Sequence, residues 1–256
     1  MAYHCVVLAK QVPDTQRITG QVMNDDGTVN RSALPAIFNP EDLNALEVAL
    51  QIKDRFGGRV TVVTMGLPAA TRILRESLYR GADGAILVTD RRCAASDTLA
   101  TSYILSCAVK KLDADIVVCG RQAIDGDTAQ VGPQLAEKLG ITQITYVEAL
   151  EELKNREITA RRNIGNGWQQ VKASLPVLLT VTNDANTPRV AAARQLMKQK
   201  KARTRLEVAE EIKAMNPDAV EAEMQELIAT RCEALEAKGL LIKHWDLDYL
   251  EADLGW

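Results

Sequence analysis

Short apolar runs that do not alternate set the fold of this chain. "HCVVLA" from His4, "RVTVVTMG" from Arg59, "GAILVTD" from Gly84 and "ADIVVCG" from Ala114 are rich in Val and Ile. A strand with one wet face alternates apolar and polar side chains, whereas an unbroken apolar run belongs to a strand buried on both faces. Helical stretches lie between the runs. "NPEDLNALEVALQIKDRFGG" begins with Asn39 as an N-cap and Pro40 in the first turn, puts Leu43, Leu46, Ala49 and Leu50 on one stripe, and closes at Gly57. "PAATRILRESLYRGA" and "SDTLATSYILSCAVKKL" follow the same plan, and "SLPVLLTVTN" adds another buried strand. Strands alternating with helices predict an α/β fold with a doubly wound, mostly parallel sheet.

Two insertions read as β-hairpins. "GQVMNDDGTVNRS" carries an Asp26–Gly27 turn, and "EITARRNIGNGWQQVKA" an Asn166–Gly167 turn between alternating strands. After Asn183 the character changes. Lys198, Lys200, Lys201, Arg203 and Arg205 cluster, helix formers run from Leu206 to about Lys238, and Trp245, Tyr249 and Trp256 mark the C-terminal stretch. Residues 1–190 are expected to form one α/β domain, and 191–256 a partner-recognition segment and C-terminal helical arm.

Composition narrows the function classes. A net charge of -3 over 256 residues gives no basic face for nucleic acid. No apolar run reaches the roughly 20 residues that span a bilayer. "MAYHCVVLAK" lacks a basic leader region and reads as a first strand, not a signal peptide. Cys5, Cys93, Cys107, Cys119 and Cys232 are odd in number and widely spaced, so reduced thiols and a cytoplasmic location are expected. Cys107 and Cys119 read as core residues. Only His4 and His244 are present, which argues against His-rich metal sites and Ser-His-Asp catalysis.

Ligands of open parallel sheets bind beyond the carboxyl ends of the strands. The loops there are 9–15, Thr64–Gly66, the approach to Ser96-Asp97-Thr98, and Gly120–Gly132. Neither a P-loop nor a Rossmann fingerprint occurs among them. "GRQAIDGDTAQVGPQLAEKLG" from Gly120 has three readings. Thr128–Gly132 at a helix start can hold a phosphate through backbone N–H groups, with small residues at 129 and 132 allowing close approach. "DGD" resembles part of a calcium loop but lacks its spaced acids and its final glutamate. Asp125 or Asp127 can also cap the following helix, as Asn39 and Ser96-Asp97-Thr98 can cap theirs.

These loops together resemble the β subunit of electron-transfer flavoproteins. The resemblance rests on "VVLAKQVPDT", "NPEDLNALEVALQIKD", "VTVVTMG", "LRESLYRGADGAILV" and, above all, "GRQAIDGDTAQVGPQLAEKLG". It covers residues 1–205 closely and the arm loosely. "PRVAAARQLMKQKKA" from Pro188 is similar to the family's partner-recognition segment, with Ala193 where a bulky aliphatic anchor is usual. Members whose β subunit holds AMP carry a longer acidic run at the 125–128 loop. Electron-bifurcating members hold a second FAD and carry "DGDTxQVGP" there and "DTxATS" on the preceding helix. This chain has both, as Asp125–Pro133 and Asp97–Ser102.

The resemblance implies an adenine-nucleotide α-hydrolase-like sheet and a cofactor site made by residues from each loop. Ala9, Lys10, Asn39, Asp42, Thr64, Met65, Gly66 and Ala123 would take the adenine and ribose side. Thr128, Ala129, Gln130, Val131 and Gly132 would take the pyrophosphate, with Asp125, Gly126 and Asp127 in the loop before them, where the two acids either touch the cofactor or only hold the loop that does. Asp97, Thr98 and Thr101 would serve the ribityl chain and flavin. It further implies NADH as electron donor, ferredoxin as low-potential acceptor, and an obligate α subunit on which the aromatic arm docks. The α-subunit FAD would lead to a flavin dehydrogenase, such as an acyl-CoA or enoyl-CoA reductase or a 2-hydroxyacid dehydrogenase. No catalytic side chain and no metal are implied. Two other readings stay open: a non-bifurcating β subunit with structural AMP, and a stand-alone adenine-nucleotide sensor.

Overall fold

The structure, a computed structural model, describes residues 2–14, 35–217 and 219–253. The chain opens with β1 (Tyr3–Leu8), β2 (Gln11–Pro13), β3 (Ala36–Phe38), α1 (Pro40–Phe56), β4 (Gly58–Met65) and α2 (Thr71–Arg80). Next come β5 (Gly84–Val88), α3 (Thr98–Lys110), β6 (Ile116–Gly120), α4 (Val131–Leu139), β7 (Thr142–Lys154), β8 (Glu157–Asn163) and β9 (Trp168–Ser174). The last part holds β10 (Val177–Val181), α5 (Ala193–Gln199), β11 (Arg203–Thr204), α6 (Arg205–Met215), α7 (Glu221–Glu236) and β12 (Leu241–Trp245).

A ten-stranded sheet runs in the order β11-β12-β5-β4-β1-β6-β10-β7-β8-β9. Its pairings are parallel except for the two that add β8 and β9. Alternate residues of each central strand feed two different cores. Cys5, Val7, Val60, Val62 and Leu87 pack with Leu46 and Leu50 of α1 and with Ile73 and Leu74 of α2. Val6, Leu8, Val63, Ile86 and Val117 pack with Ile104 and Leu105 of α3 and Leu135 of α4. Both faces are apolar because both are covered, which is why the runs do not alternate.

The predicted strands at His4, Arg59, Gly84, Ala114 and Ser174 are all present, as is the β8–β9 hairpin, where Ile164 donates to the Gly167 carbonyl. The hairpin expected around Asp26–Gly27 and the aromatic Trp256 lie outside the described residues. The reading of Trp245 as an aromatic docked on a partner is corrected. β12 pairs in parallel with β5, and Trp245 is buried in this chain's own second core beside Leu247 and Leu250. Tyr249 stays exposed, its ring 5.1 Å from that of Trp245. α6 and α7 bury a small core of their own around Val208, Ile228 and Leu235.

The strand order fixes where a ligand can go. From β1 the chain steps outward to β4 and β5, then crosses back to β6 on the other side of β1. Between β1 and β6 the loops diverge to opposite faces and leave a crevice at the strand ends. The N-terminal end of α1 sits at this point.

Candidate functional site

A cleft of about 470 Å³ opens at this crevice. Ala9 and Lys10 after β1, Asp42 at the start of α1, and Met65 and Gly66 after β4 line it. Asp97, Thr98 and Thr101 at the start of α3 face it, as do Ala123 and the run from Gly126 to Gly132 before and at the start of α4. The structure thus brings together all the predicted site residues except Asn39, Thr64 and Asp125. Asn39 is fully buried behind the 120–125 loop, with Nδ2 donating to the Gln122 carbonyl at 2.9 Å and Oδ1 accepting the Ile124 N–H at 3.2 Å. It occupies the N-cap position of α1, but its side chain makes no capping bond. Thr64 is buried in β4, and its hydroxyl has no partner among the described residues. Asp125 sits at the rim, 2.8 Å from Lys10 Nζ.

The first turn of α1 holds the loops in place with consecutive buried polar residues. Asp42 Oδ2 accepts the Lys10 N–H at 2.8 Å and Oδ1 the Gly120 N–H at 2.9 Å. Glu41 Oε2 accepts the Gln122 N–H at 3.0 Å, and its Oε1 lies 2.9 Å from Arg121. Burial pushes the Asp42 carboxyl up to about 7, and the two backbone N–H bonds offset only part of that. Burial also raises Glu41, against the pull of the Gln122 N–H and Arg121.

The loop before α4 is unusual in what it leaves open. Asp127 and Ala129 have φ of 49° and 52°, in the left-handed region, and Gln130 follows in the right-handed helical region. Gly126 and Asp127 donate to the Ala123 carbonyl. From Thr128 to Gly132, however, the backbone N–H groups have no partner among the described residues. Left- and right-handed residues in succession turn neighbouring N–H groups into one concavity, a nest suited to an anion. The helix dipole of α4 reinforces it. Neither Asp125 nor Asp127 caps α4: the N-cap is Gln130, without a side-chain cap. Asp127 instead accepts Gln122 Nε2 at 2.9 Å. The capping reading holds at Asp97, which accepts the Ala100 N–H at 2.8 Å and starts α3.

The idea that Gly132 admits a ligand is corrected in its physical reason. A Cβ at Gly132 would lie 2.8 Å from Thr180 Cγ2 and 3.1 Å from Cys119 Sγ, so the glycine lets α4 pack closely on the sheet. The core reading of Cys107 is also modified: it packs against the second core but is partly exposed. Thr98 Oγ1 donates to Gln130 Oε1 at 2.9 Å and joins the α3 and α4 sides of the cleft.

Sequence reasoning missed several lining residues. Gly120, Arg121 and Gln122 belong to the loop already singled out, and only the geometry shows that they face inward. Cys93 and Ala95 had no signal. A short 3-10 turn at Arg91–Cys93, capped by Asp90, carries them to the cleft wall. Among the described residues, no group of His, Cys, Asp and Glu could hold a metal ion, and no helix is long and apolar enough to cross a membrane.

Comparison with known proteins agrees with this geometry. The family described as "Electron transfer flavoprotein domain" matches residues 26–211. An electron transfer flavoprotein subunit beta of Clostridium acetobutylicum is 48% identical over 191 residues, 75% of this chain and 73% of that protein. Protein FixA of Sinorhizobium fredii is 48% identical over 193 residues, 73% of this chain and 67% of its own length. An acryloyl-CoA reductase electron transfer subunit gamma of Anaerotignum propionicum is 46% identical over 186 residues, 71% of this chain and 67% of that one. With a family match over most of its length and relatives this similar, the chain belongs to the electron transfer flavoprotein family and is of its β-subunit type.

Proposed function

We propose that the chain pairs with an electron-transfer flavoprotein α subunit in the cytoplasm, that its cleft holds FAD, and that the complex is of the electron-bifurcating kind. The observation that carries this reading is the row of N–H groups from Thr128 to Gly132 that have no partner among the described residues, in a cleft that continues to Asp97, Thr98 and Thr101. Such a row fits a pyrophosphate, which needs several donors at once. The hydroxyls of Thr98 and Thr101 suit a polyol beyond the phosphates. The sequences "DGDTAQVGP" and "DTLATS", which set bifurcating members apart, face one another here across the Thr98–Gln130 hydrogen bond.

FAD, when bound, supplies hydride acceptance from NADH and one-electron delivery to ferredoxin and, through an α-subunit FAD, to a partner dehydrogenase. This chain's residues bind, orient and shield. The nest would hold the pyrophosphate, the Lys10 and Met65 loops the adenosine, and Leu8, Val63 and Leu105 form an apolar floor that keeps water out. No side chain acts as a general acid or base on substrate. The name of the Anaerotignum propionicum relative favours an acyl-CoA or enoyl-CoA reductase as partner. The 188–205 segment, which exposes Val190 and Met197, is the surface we assign to that dehydrogenase. The arm, residues 191–256, contributes the exposed Tyr249, Met215 and Val220 toward the α subunit.

Acid release of cofactor from the purified heterodimer tests the reading. Two FAD per dimer and no AMP is the expected result. One FAD and one AMP would instead make this a non-bifurcating β subunit, since the same nest accommodates an AMP phosphate. Replacing Thr128 with Leu should strip the β-site nucleotide and leave the α-site FAD in place.

A further inference from the structure

We propose that Asp42 is the residue at which this chain takes up a proton when an anionic nucleotide enters the cleft. The inference rests on the reading of the cleft as a nucleotide site.

Asp42 is buried, lines the cleft, and forms no ion pair with any described residue. Its carboxylate is held by neutral donors alone: the backbone N–H groups of Lys10 and Gly120 and the side-chain amide of Asn39. The cations nearby in sequence and space are engaged elsewhere: Lys10 Nζ with Asp125, and Arg121 with Glu41. Glu41 on the same helix adds a further negative charge beside it. On β6, Cys119 is a buried thiol raised by burial and by Asp42 itself, so it stays neutral. The ends of β4 and β10 at Thr64–Met65 and Thr180–Val181 bring no ionisable side chain.

A buried carboxylate without a cation is costly, and its cost is highest where a second anion must sit in the same low-dielectric space. The nest at Thr128–Gly132 invites such an anion to the other wall of the cleft. Asp42 already ionises near neutrality, at about 7. Added negative charge raises it further, so a proton moves from solvent to an Asp42 oxygen as the nucleotide binds. Below about 7 the free chain is already protonated there and takes up nothing. Above the raised value of the complex neither form is protonated. Between the two, one proton enters with each nucleotide, and affinity falls as pH rises, by at most about tenfold per pH unit. A carboxylate that only ties loops together gives no such uptake.

Titration calorimetry tests this on the full-length chain in its purified complex, stripped of the β-site nucleotide, with FAD and AMP as probes. Runs at pH 7.5 in two buffers of different ionisation enthalpy count the protons. Wild type should take up more protons per nucleotide than Asp42→Asn, by up to one, and its Kd should weaken several-fold from pH 7 to 8 relative to the variant. The phosphate titration of AMP itself cancels in that comparison. Equal uptake in both proteins overturns the proposal and leaves the nucleotide site intact. A difference infrared spectrum of wild type on adding FAD is independent of the variant's folding. A gained protonated-carboxyl band supports the proposal, and its absence overturns it. If neither FAD nor AMP binds wild type, the nucleotide reading fails and this inference fails with it.

Discussion

Asp42 Oδ1 accepts the backbone N–H of Gly120, 78 positions along the chain, at 2.9 Å. The bond joins the first turn of α1 to the end of β6 and so sets the position of the loop that follows. The approach is close: a Cβ at position 120 would lie 2.5 Å from that same oxygen and 2.9 Å from the Glu41 backbone carbon. Gly120→Ala should therefore cost about 1–3 kcal/mol through overpacking, read as a lowered denaturant midpoint. Gly126→Ala has open space around it and should stay within about 0.5 kcal/mol of wild type.

Gly132→Ala tests the helix–sheet contact. Its Cβ would meet Thr180 and Cys119, which are both buried. The expected loss is again about 1–3 kcal/mol. Because α4 must shift to relieve the clash, the variant should also purify with less β-site nucleotide. Full nucleotide content with normal stability would show that α4 can rise without moving the nest.

Asp97→Ala removes the only side-chain cap at the start of α3 among the described residues. About 1 kcal/mol of stability should go with it. Asp97→Asn keeps an acceptor at the same place and should recover most of that loss in thermal unfolding.

The nucleotide-free protein should lose stability from Asp42 as pH rises. In the folded chain the carboxyl keeps its proton up to about 7, whereas in the unfolded chain it ionises near 4. Its contribution is fully present below about 4 and disappears as pH climbs through about 7, because the unfolded chain ionises first. The melting-temperature difference between wild type and Asp42→Asn, measured from pH 4 to 8, should move in favour of the variant with increasing pH. A difference that does not change with pH would contradict the assignment.

Thiol labelling reports on the cleft from a different direction. Burial pushes the Cys5 thiol up to about 12 and raises Cys119 as well, so both should resist iodoacetamide at pH 8 in the native state. Cys93 is partly exposed and lines the cleft. Its labelling, followed by peptide mass spectrometry, should slow when nucleotide is bound. Equal rates with and without nucleotide would place the ligand away from the α3 side.

Much of the fold was legible because its signals are local. The Val- and Ile-rich runs of β1, β4, β5, β6 and β10 announce burial on both faces, and Asn166–Gly167 announces a hairpin, although Ile164 pairs with Gly167 and the tip falls one position earlier, on Gly165 and Asn166. β12 was not legible. "LIKHW" reads as part of an arm, and its partner β5 lies more than 150 residues earlier, a pairing no local pattern encodes. The roles at the site divide in the same way. Asp97 reads as a cap and is one. Asn39, also read as a cap, instead spends its side chain on Gln122 and Ile124, which only the approach of the β6 loop makes available.

The sequence by itself determined the layered α/β architecture and the set of loops that share one sheet edge, because both follow from apolar periodicity and from the polarity of parallel strands. It also determined the family, through motifs spread over those loops. The tertiary structure decided which groups are free to act. It turned Asn39, Glu41 and Asp42 inward to hold the loops, paired Lys10 with Asp125, and left the N–H groups from Thr128 to Gly132 without partners among the described residues. Whether a donor is satisfied depends on what the rest of the chain brings within hydrogen-bond distance, and that distance exists only once the sheet has assembled.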